Sequence, residues 1–384
     1  MIRLPLSRSR PISRDTKLIA FFSLAALMCV SALAVHFAVA DGPPIRTVDA
    51  RVDVGSDDRL SIQFLGDTML GDAAQPKLNR NGYDWPFRPT IRATLGGDFT
   101  IANSETPFTY RTKPYDPGKE YSYTSEPTAI GALQRAGIDA VSLANNHAMD
   151  AGPIGLTETL TYLADNKMPS FGAGPSINRA EEPLILRSSE GTVGIVGLGE
   201  NFGSSIRAED SQAGTVVLSS GSVQRGVDLA RAAGADWVIA FVHWGDNYMP
   251  VNDEQRYWAR QFVEAGYDMV VGAGPHITQP IRFIQGIPIV YSLGNFVFGT
   301  PGRFQEYDHT LGHGLMLTAT LSKTNGIRLK LRCLITDNEV VRYRPKMCSN
   351  TQAAHLMSVL TPRAVTKGAG ALVDLPAAMV SNGD

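Results

Sequence analysis

Several short apolar runs in this 384-residue sequence end in side chains that can bind a metal or carry a proton. The first run closes on Gly66-Asp67-Thr68 and the second on Asn103-Ser104-Glu105. The third gives Asn145-Asn146-His147, with Asp150 beyond it. A longer run closes on His243-Trp244-Gly245-Asp246-Asn247, the next on Gly272-Ala273-Gly274-Pro275-His276, and the last on Ser292-Leu293-Gly294-Asn295. Taken singly, each has an ordinary explanation: Gly-Asp is a common turn, Asn-Ser-Glu can open a helix, and one histidine at a strand end is usually structural. Turn chemistry does not explain their recurrence at one strand end after another. Asp, Glu, Asn and His together make a mixed oxygen and nitrogen donor set, suited to Zn, Mn or Fe and not to a sulfur site.

The elements that must position these residues are legible in the pattern. Leu60, Ile62 and Phe64 alternate as in a strand. Asp98–Ala102 and Ala140–Leu143 are further short strands, and Met269–Val271 and Ile287–Tyr291 complete the set. Thr192–Leu198 and Trp237–Val242 are almost wholly apolar, as expected of strands covered on both faces. Helices fall between them. One is expected from near Ser125, with Pro127 in its first turn, to Gly137; others cover Pro153–Asp165 and Val223–Ala233. A fourth is capped by Asn252, begins Asp253-Glu254 and stops at Gly266. This alternation predicts a layered α/β domain, whose strand carboxyl ends line the ligand crevice. After Gly314, Leu315–Leu321, Ile327–Leu334 and Glu339–Tyr343 read as antiparallel strands. Ile327-Arg328-Leu329-Lys330-Leu331 alternates cleanly and so has one wet face. A short helix is expected at Gln352–Leu360, and the tail from Thr361 has little pattern.

Composition narrows the function classes. With 35 basic and 37 acidic residues there is no basic field, so nucleic acid is not an expected partner. At 43% hydrophobic and 19% charged the chain is not a disordered one. Three cysteines exclude a disulfide-rich scaffold, and none stands in a Cys-x-x-Cys zinc motif. Arg3, Arg8, Arg10, Arg14 and Lys17 precede an apolar run from Leu18 to Ala40. That order keeps the basic side in the cytoplasm and exports the remainder. The length suits a single inner-membrane anchor; Ala38-Val39-Ala40 before Asp41 suits a signal peptide cleaved to leave a periplasmic or secreted protein. Residues 41–58 then read as a linker, 59–345 as the domain, and 346–384 as a C-terminal helix and tail. In an oxidising space Cys333 and Cys348 can close a loop worth about 3 kcal/mol in the chain-entropy model; two free thiols is the other reading.

Six segments taken in order resemble the CapA family of poly-γ-glutamate capsule biosynthesis proteins and, more distantly, the calcineurin-like metallophosphoesterase superfamily. They are Phe64-Leu65-Gly66-Asp67-Thr68-Met69-Leu70-Gly71, Asn103-Ser104-Glu105-Thr106-Pro107, Ser142-Leu143-Ala144-Asn145-Asn146-His147-Ala148-Met149-Asp150, Val242-His243-Trp244-Gly245, Pro275-His276, and Ile289-Val290-Tyr291-Ser292-Leu293-Gly294-Asn295-Phe296-Val297-Phe298. The resemblance implies a four-layer α/β sandwich with a metal site at one sheet end, here followed by the C-terminal antiparallel strands. It implies that Asp67, Glu105, Asn146, His243 and His276 are metal ligands for one or two divalent ions (Mn, Zn or Fe), with Glu105 bridging. His147 matches the superfamily's catalytic histidine. Two such metals clamp a phosphate and activate a bridging water.

This chain departs from the family pattern at Asn247, where members often carry Glu, and at Ala273 and Gly274, where a histidine usually precedes the Pro-His pair. Met69 stands where ordinary phosphoesterases have histidine. The function implied is an exported protein assisting synthesis or export of an anionic cell-surface polymer such as poly-γ-glutamate. Its ligand would be that polymer or a phosphorylated envelope substrate, and its partners a polymer synthase and, through the N-terminal segment, the membrane. A metal-dependent envelope hydrolase, phosphoesterase or amidase-like, is one alternative. A degenerate, non-catalytic ligand-binding protein is the other, suggested by the missing histidines. Tyr110, Arg111, Lys113, Tyr115, Lys119, Tyr121 and Tyr123 form a basic, aromatic loop, read first as a solvated loop and second as an anion-holding surface. His309 and His313 are further candidate donors.

Overall fold

The computed structural model describes residues 49–51, 59–203, 205–307, 310–361, 365–367 and 370–375. In chain order the strands are β1 (Asp49–Arg51), β2 (Leu60–Thr68), β3 (Phe99–Ser104), β4 (Ala140–Ser142), β5 (Ser170–Phe171) and β6 (Ala173–Gly174). There follow β7 (Leu184–Ser188), β8 (Gly191–Gly199), β9 (Gly214–Thr215), β10 (Trp237–His243), β11 (Met269–Ala273), β12 (Thr278–Ile284) and β13 (Ile287–Leu293). The last are β14 (His313–Ser322), β15 (Gly326–Ile335), β16 (Lys346–Met347), β17 (Val365–Lys367) and β18 (Gly370–Leu375). One sheet runs β17-β18-β15-β14-β2-β3-β4-β5, parallel from β2 to β5 and antiparallel from β2 outward through β14. The other runs β1-β7-β8-β10-β11-β13-β12, with β8, β10, β11 and β13 parallel.

The period-2 pattern decides which faces meet. Ile62, Phe64, Ile101, Leu317 and Leu331 of the first sheet share one core with Ile195, Ile239, Phe241, Val271 and Leu293 of the second. The rings of Phe64 and Phe241 meet edge to face across it, 5.5 Å apart. Alternate residues face outward. Val196, Val238, Ala240 and Val270 pack under Val223, Val227, Ala259 and Phe262 of the helices Ser220–Ala232 and Asp253–Ala265. On the first sheet Thr100 and Ala102 are buried with opposite parity to Ile101. The helices Ala129–Arg135 and Gly152–Asp165 bury Ile130, Leu133, Leu156, Leu160 and Leu163. Helix, sheet, sheet, helix is the four-layer α/β sandwich expected from the resemblance, and the antiparallel C-terminal strands extend it. Each large apolar side chain buried this way contributes about 1.5–3 kcal/mol.

Several elements end where the sequence says they must. Asn252 accepts from Gln255 N at 2.8 Å while the Gln255 side chain accepts from Asn252 N at 3.1 Å, and Gly266 closes that helix at φ 94. Arg328 and Lys330 are exposed between buried Ile327, Leu329 and Leu331, as the alternation predicts. Other expectations fail for local reasons. The helix expected from near Ser125 starts at Ala129, because Ser125 is tied into a bridge with Phe108: its N–H donates to Pro107 O at 3.0 Å. Glu339–Tyr343 is not a strand. Asp337 accepts from Glu339 N at 2.9 Å and caps a short helix, Asn338–Val341, after which Arg342 and Tyr343 take φ of 53 and 66. Asp49–Arg51, within the stretch read as linker, pairs with β7, and β17 and β18 arise in the tail read as patternless. Such edge strands depend on a neighbour's ladder more than on their own pattern.

Cys333 and Cys348 form a disulfide across a separation of 15 residues, inside the inter-sheet core. Residues 1–40, read as signal peptide or anchor, lie outside the described residues, as does His309. No helix among the described residues is long and apolar enough to cross a membrane.

The sheets are stitched together at their carboxyl ends. The chain leaving β13 runs beside the end of β2: Asp67 N donates to Gly294 O at 3.1 Å, Phe296 N to Asp67 O at 2.9 Å, and Met69 N to Val297 O at 2.8 Å. Glycine is required at position 66, since a Cβ there would lie 1.8 Å from Gly294 O.

Candidate metal centre

This seam gathers side chains from four strand ends. Asp67 is the penultimate residue of β2, Glu105 follows β3, His243 ends β10 and His276 follows β11. Asp67 and Glu105 are fully buried, and the two histidines nearly so. His276 Nδ1 lies 3.3 Å from Asp67 Oδ2, and its Nε2 3.9 Å from Glu105 Oε2. His243 Nδ1 lies 3.4 Å from Glu105 Oε1. Asp67, Glu105 and His276 each offer a ligand atom within 4.8 Å of the others.

Amides hold this set. Asn103, on β3, sits at its middle: Nδ2 faces Asp67 Oδ1 at 2.9 Å, Glu105 Oε1 at 3.1 Å and His243 Nδ1 at 3.0 Å. Two amide hydrogens cannot serve three acceptors. Asn145 fixes the amide from behind, donating to Asn103 Oδ1 at 3.1 Å and to Ser104 O at 2.8 Å. Gly274 N donates to both Asp67 oxygens at 3.2 Å, and His276 Nδ1 pairs with Asn295 Oδ1 at 2.9 Å.

The electrostatics divide the two carboxyls. Burial alone would raise Asp67, but His276 and the other donors around it outweigh burial and hold its carboxyl below the usual carboxylate range. Glu105 goes the other way: burial, and then the charge of Asp67, push it well above its ordinary value. Burial drives His243 down to about 3, so its ring is neutral, with Nδ1 the ring nitrogen on the side of Glu105. Burial and the Asp67 charge thus favour the protonated form of Glu105, whereas a bound cation would favour its carboxylate.

Residues and a divalent cation fit one another here. Among the predicted ligands, Glu105 Oε2 and Asn146 Oδ1 are buried acceptors with no donor. An orphaned buried acceptor costs about 1–3 kcal/mol, and a cation removes that cost. The oxygen and imidazole donors match Zn, Mn or Fe. Asn146 takes no hydrogen bond at its side-chain oxygen, while its backbone oxygen accepts from Lys119 Nζ at 2.6 Å.

His147 stands beside this cluster with its own support. Its Nδ1–H donates to Asp150 Oδ2 at 2.7 Å. Asp150 is also held by the Lys119 ammonium and by Tyr123 N at 2.7 Å. The Tyr123 ring lies 4.5 Å from the imidazole. Burial lowers His147, against the opposing pull of Asp150. With Nδ1 occupied, Nε2 is the atom left to meet a substrate.

The departures from the family pattern acquire physical reasons. A Cβ at Gly274, whose φ is 115, would stand 2.9 Å from Trp244 O and 3.2 Å from His243 Nε2, so no imidazole fits there. Ala273 belongs to the inter-sheet core. Met69 is buried, its sulfur packed toward Gly71 and Gly299. Asp246 and Asn247 are surface residues. Of the spare donors, Asp150 is committed to His147 and Lys119. His313 lies with Cys333 and Cys348, whose sulfurs are bonded to each other and so do not make a metal site. Sequence reasoning missed Asn103 as the hub, although Asn103-Ser104-Glu105 was in view. It also missed Lys119 and Tyr123, which belong to the loop read as solvated. An amide two residues before the carboxylate is the signal that would have found Asn103.

The family model for bacterial capsule synthesis protein PGA_cap matches residues 61–300. The PGA biosynthesis protein CapA of Bacillus subtilis (strain 168) is 32% identical over 253 residues, covering 65% of this chain and 66% of that protein. The capsule biosynthesis protein CapA of Bacillus anthracis is 28% identical over 248 residues, covering 63% and 60%. The match thus spans about two thirds of the first relative's length and less than two thirds of the second's. A solved phosphatase from Mycoplasma pneumoniae superposes with a TM-score of 0.46 at 12% identity, covering 73% of this chain and 94% of that one, too loosely to bear on function.

Proposed function

The chain belongs to the PGA_cap family of bacterial capsule synthesis proteins, and from that premise we propose that it acts in the synthesis or export of poly-γ-glutamate at the cell surface. Its working part is a divalent-metal centre held by Asp67, Glu105, His243 and His276, with Asn146. The observation that carries this reading is that two of the expected ligand atoms, Glu105 Oε2 and Asn146 Oδ1, are buried acceptors without donors. When bound, a divalent ion supplies Lewis acidity toward a carbonyl or phosphoryl oxygen. The chain's own residues do the rest. Asp150 fixes the Nδ1–H tautomer of His147 and supports its imidazolium form; His147 Nε2 takes a proton from the attacking water and returns it to the leaving group. Tyr123 and Phe298 pack against His147 and His276 and keep bulk water away. This chemistry makes the protein a metal-dependent hydrolase of the growing polymer or of a phosphorylated envelope intermediate. The Cys333–Cys348 disulfide supports an exported domain, with residues 1–40 as membrane anchor or signal peptide and a polymer synthase as partner.

A deletion strain complemented with wild-type, His147→Ala or His243→Ala protein tests this. Deletion and both variants should strip poly-γ-glutamate from the surface while wild type restores it. Normal surface polymer in the deletion strain would refute the role. Full polymer with His147→Ala would remove the catalytic assignment.

A further inference from the structure

Two cavities adjoin beside the centre. The inner one, about 320 Å³, is lined by Lys119, Asn146, Asp150 and Phe202 among others. Phe202 meets His243 edge-on at 5.6 Å and Asp150 holds His147, so this cavity lies one side chain away from the centre. The outer one, about 640 Å³, is lined by Arg111, Lys113, Pro114, Pro153 and Ile154 with their neighbours. Tyr115 lines both.

Tyr115 is held in place. Its N–H donates to Asp150 O at 2.8 Å. Its ring lies on Gly152, whose φ is 70 and where a Cβ would stand 2.4 Å from ring Cδ2. Only glycine lets the ring sit there, and the residue keeps 57% exposure. A fixed aromatic face at the junction of two cavities is a platform for something passing from one to the other.

Charge separates the cavities. The outer lining carries two cations and no acid. Arg111 is anchored at the rim by Glu158 at 2.9 Å, whereas Lys113 makes no ion pair among the described residues. The inner lining sets Asp116 and Asp150 against Lys119. Anion preference therefore belongs to the outer cavity.

We propose that the two cavities form one cleft for an extended, carboxylate-bearing polymer. The inner cavity presents one unit to the centre, the chain crosses Tyr115, and Lys113 beside Arg111 receives the carboxylate of a later unit. This rests on the proposed role in poly-γ-glutamate synthesis and adds how the polymer is recognised. A long chain is then bound through both cavities and a γ-glutamyl dimer through the inner one alone. Long chains should bind at least tenfold more tightly, and added salt should erode that advantage.

The test is binding of fluorescently labelled poly-γ-glutamate and of γ-diglutamate to the purified full chain, with Lys113→Glu, Lys113→Arg and Tyr115→Ala variants. Lys113→Glu should weaken the long polymer about tenfold with dimer affinity constant, and Lys113→Arg should restore it; Tyr115→Ala should weaken the long polymer and, because Tyr115 also lines the inner cavity, the dimer as well. Equal affinity of Lys113→Glu and wild type for the long polymer, or no gain of polymer over dimer, would overturn the cleft. The surface polymer of the deletion strain separates the two ideas. If deletion strips the polymer while Lys113→Glu binds as wild type, the cleft fails and the functional reading stands. If deletion leaves the polymer intact, that reading fails and takes the cleft's assigned occupant with it.

Discussion

Replacing each buried carboxylate by its amide should have opposite consequences in metal-free protein. Asp67 accepts from Asn103 Nδ2 at 2.9 Å and from Gly274 N at 3.2 Å. Asp67→Asn turns one acceptor oxygen into a donor that faces another donor. A hydrogen bond to a charged group contributes about 1.5–3 kcal/mol, and at least one is lost, so the variant should be about 2–3 kcal/mol less stable. Glu105 differs, because its Oε2 accepts nothing and burial with the Asp67 charge penalises its ionised form. Glu105→Gln keeps the Oε1 contact with Asn103 at 3.1 Å and places its amide within 3.9 Å of His276 Nε2 as a possible acceptor. It should be neutral or stabilise by up to about 1 kcal/mol. Urea unfolding at pH 7 in the presence of a chelator measures both. Equal losses, or a larger loss for Glu105→Gln, would refute the claim that one carboxylate is satisfied by the protein and the other is built for a cation. Both variants should also lose the metal, so with metal present both should lag wild type.

Three further outcomes follow from the same geometry. Because Glu105 is raised, a binding ion must displace its proton; metal affinity should rise with pH through the acid range, and calorimetry in two buffers should detect proton release that Glu105→Gln abolishes. Lys119→Met should lower polymer output about tenfold while metal content is unchanged, since the lysine supports Asp150 and through it His147; unchanged output would show that the Asp150 contact is only structural. Cys333→Ser should lower stability by about 3 kcal/mol in denaturant titration with metal content intact, and a loss under about 1 kcal/mol would contradict the loop-closure argument.

The architecture was legible because the strands announce themselves: Thr192–Leu198 and Trp237–Val242 are continuous apolar runs, and they become β8 and β10 at the centre of a sheet. The convergence of Asp67, Glu105, His243 and His276 was legible for the same reason, each lying at the carboxyl end of such a run. What stayed hidden depends on register and on long-range contacts. Asn103 becomes the hub only because β2 and β3 pair with a shift between Leu65 and Asp67, and no local pattern encodes that shift. Lys119 sits in a loop whose composition is that of a solvated segment; its role comes from a loop that folds back to Asp150. Glu339–Tyr343 reads as a strand through its Val340, Val341 and Tyr343, yet the Asp337 cap and the Asn338 side chain, which donates to Phe298 O at 2.7 Å, decide for a helix.

Metal content addresses the central claim most directly. The full-length protein, prepared with Mn, Zn or Fe in turn and analysed for bound metal, should hold about one equivalent or more per chain. His243→Ala and Asp67→Asn should hold none, and Lys113→Glu should match wild type. Wild-type protein that binds no divalent metal under any of these conditions would contradict the account.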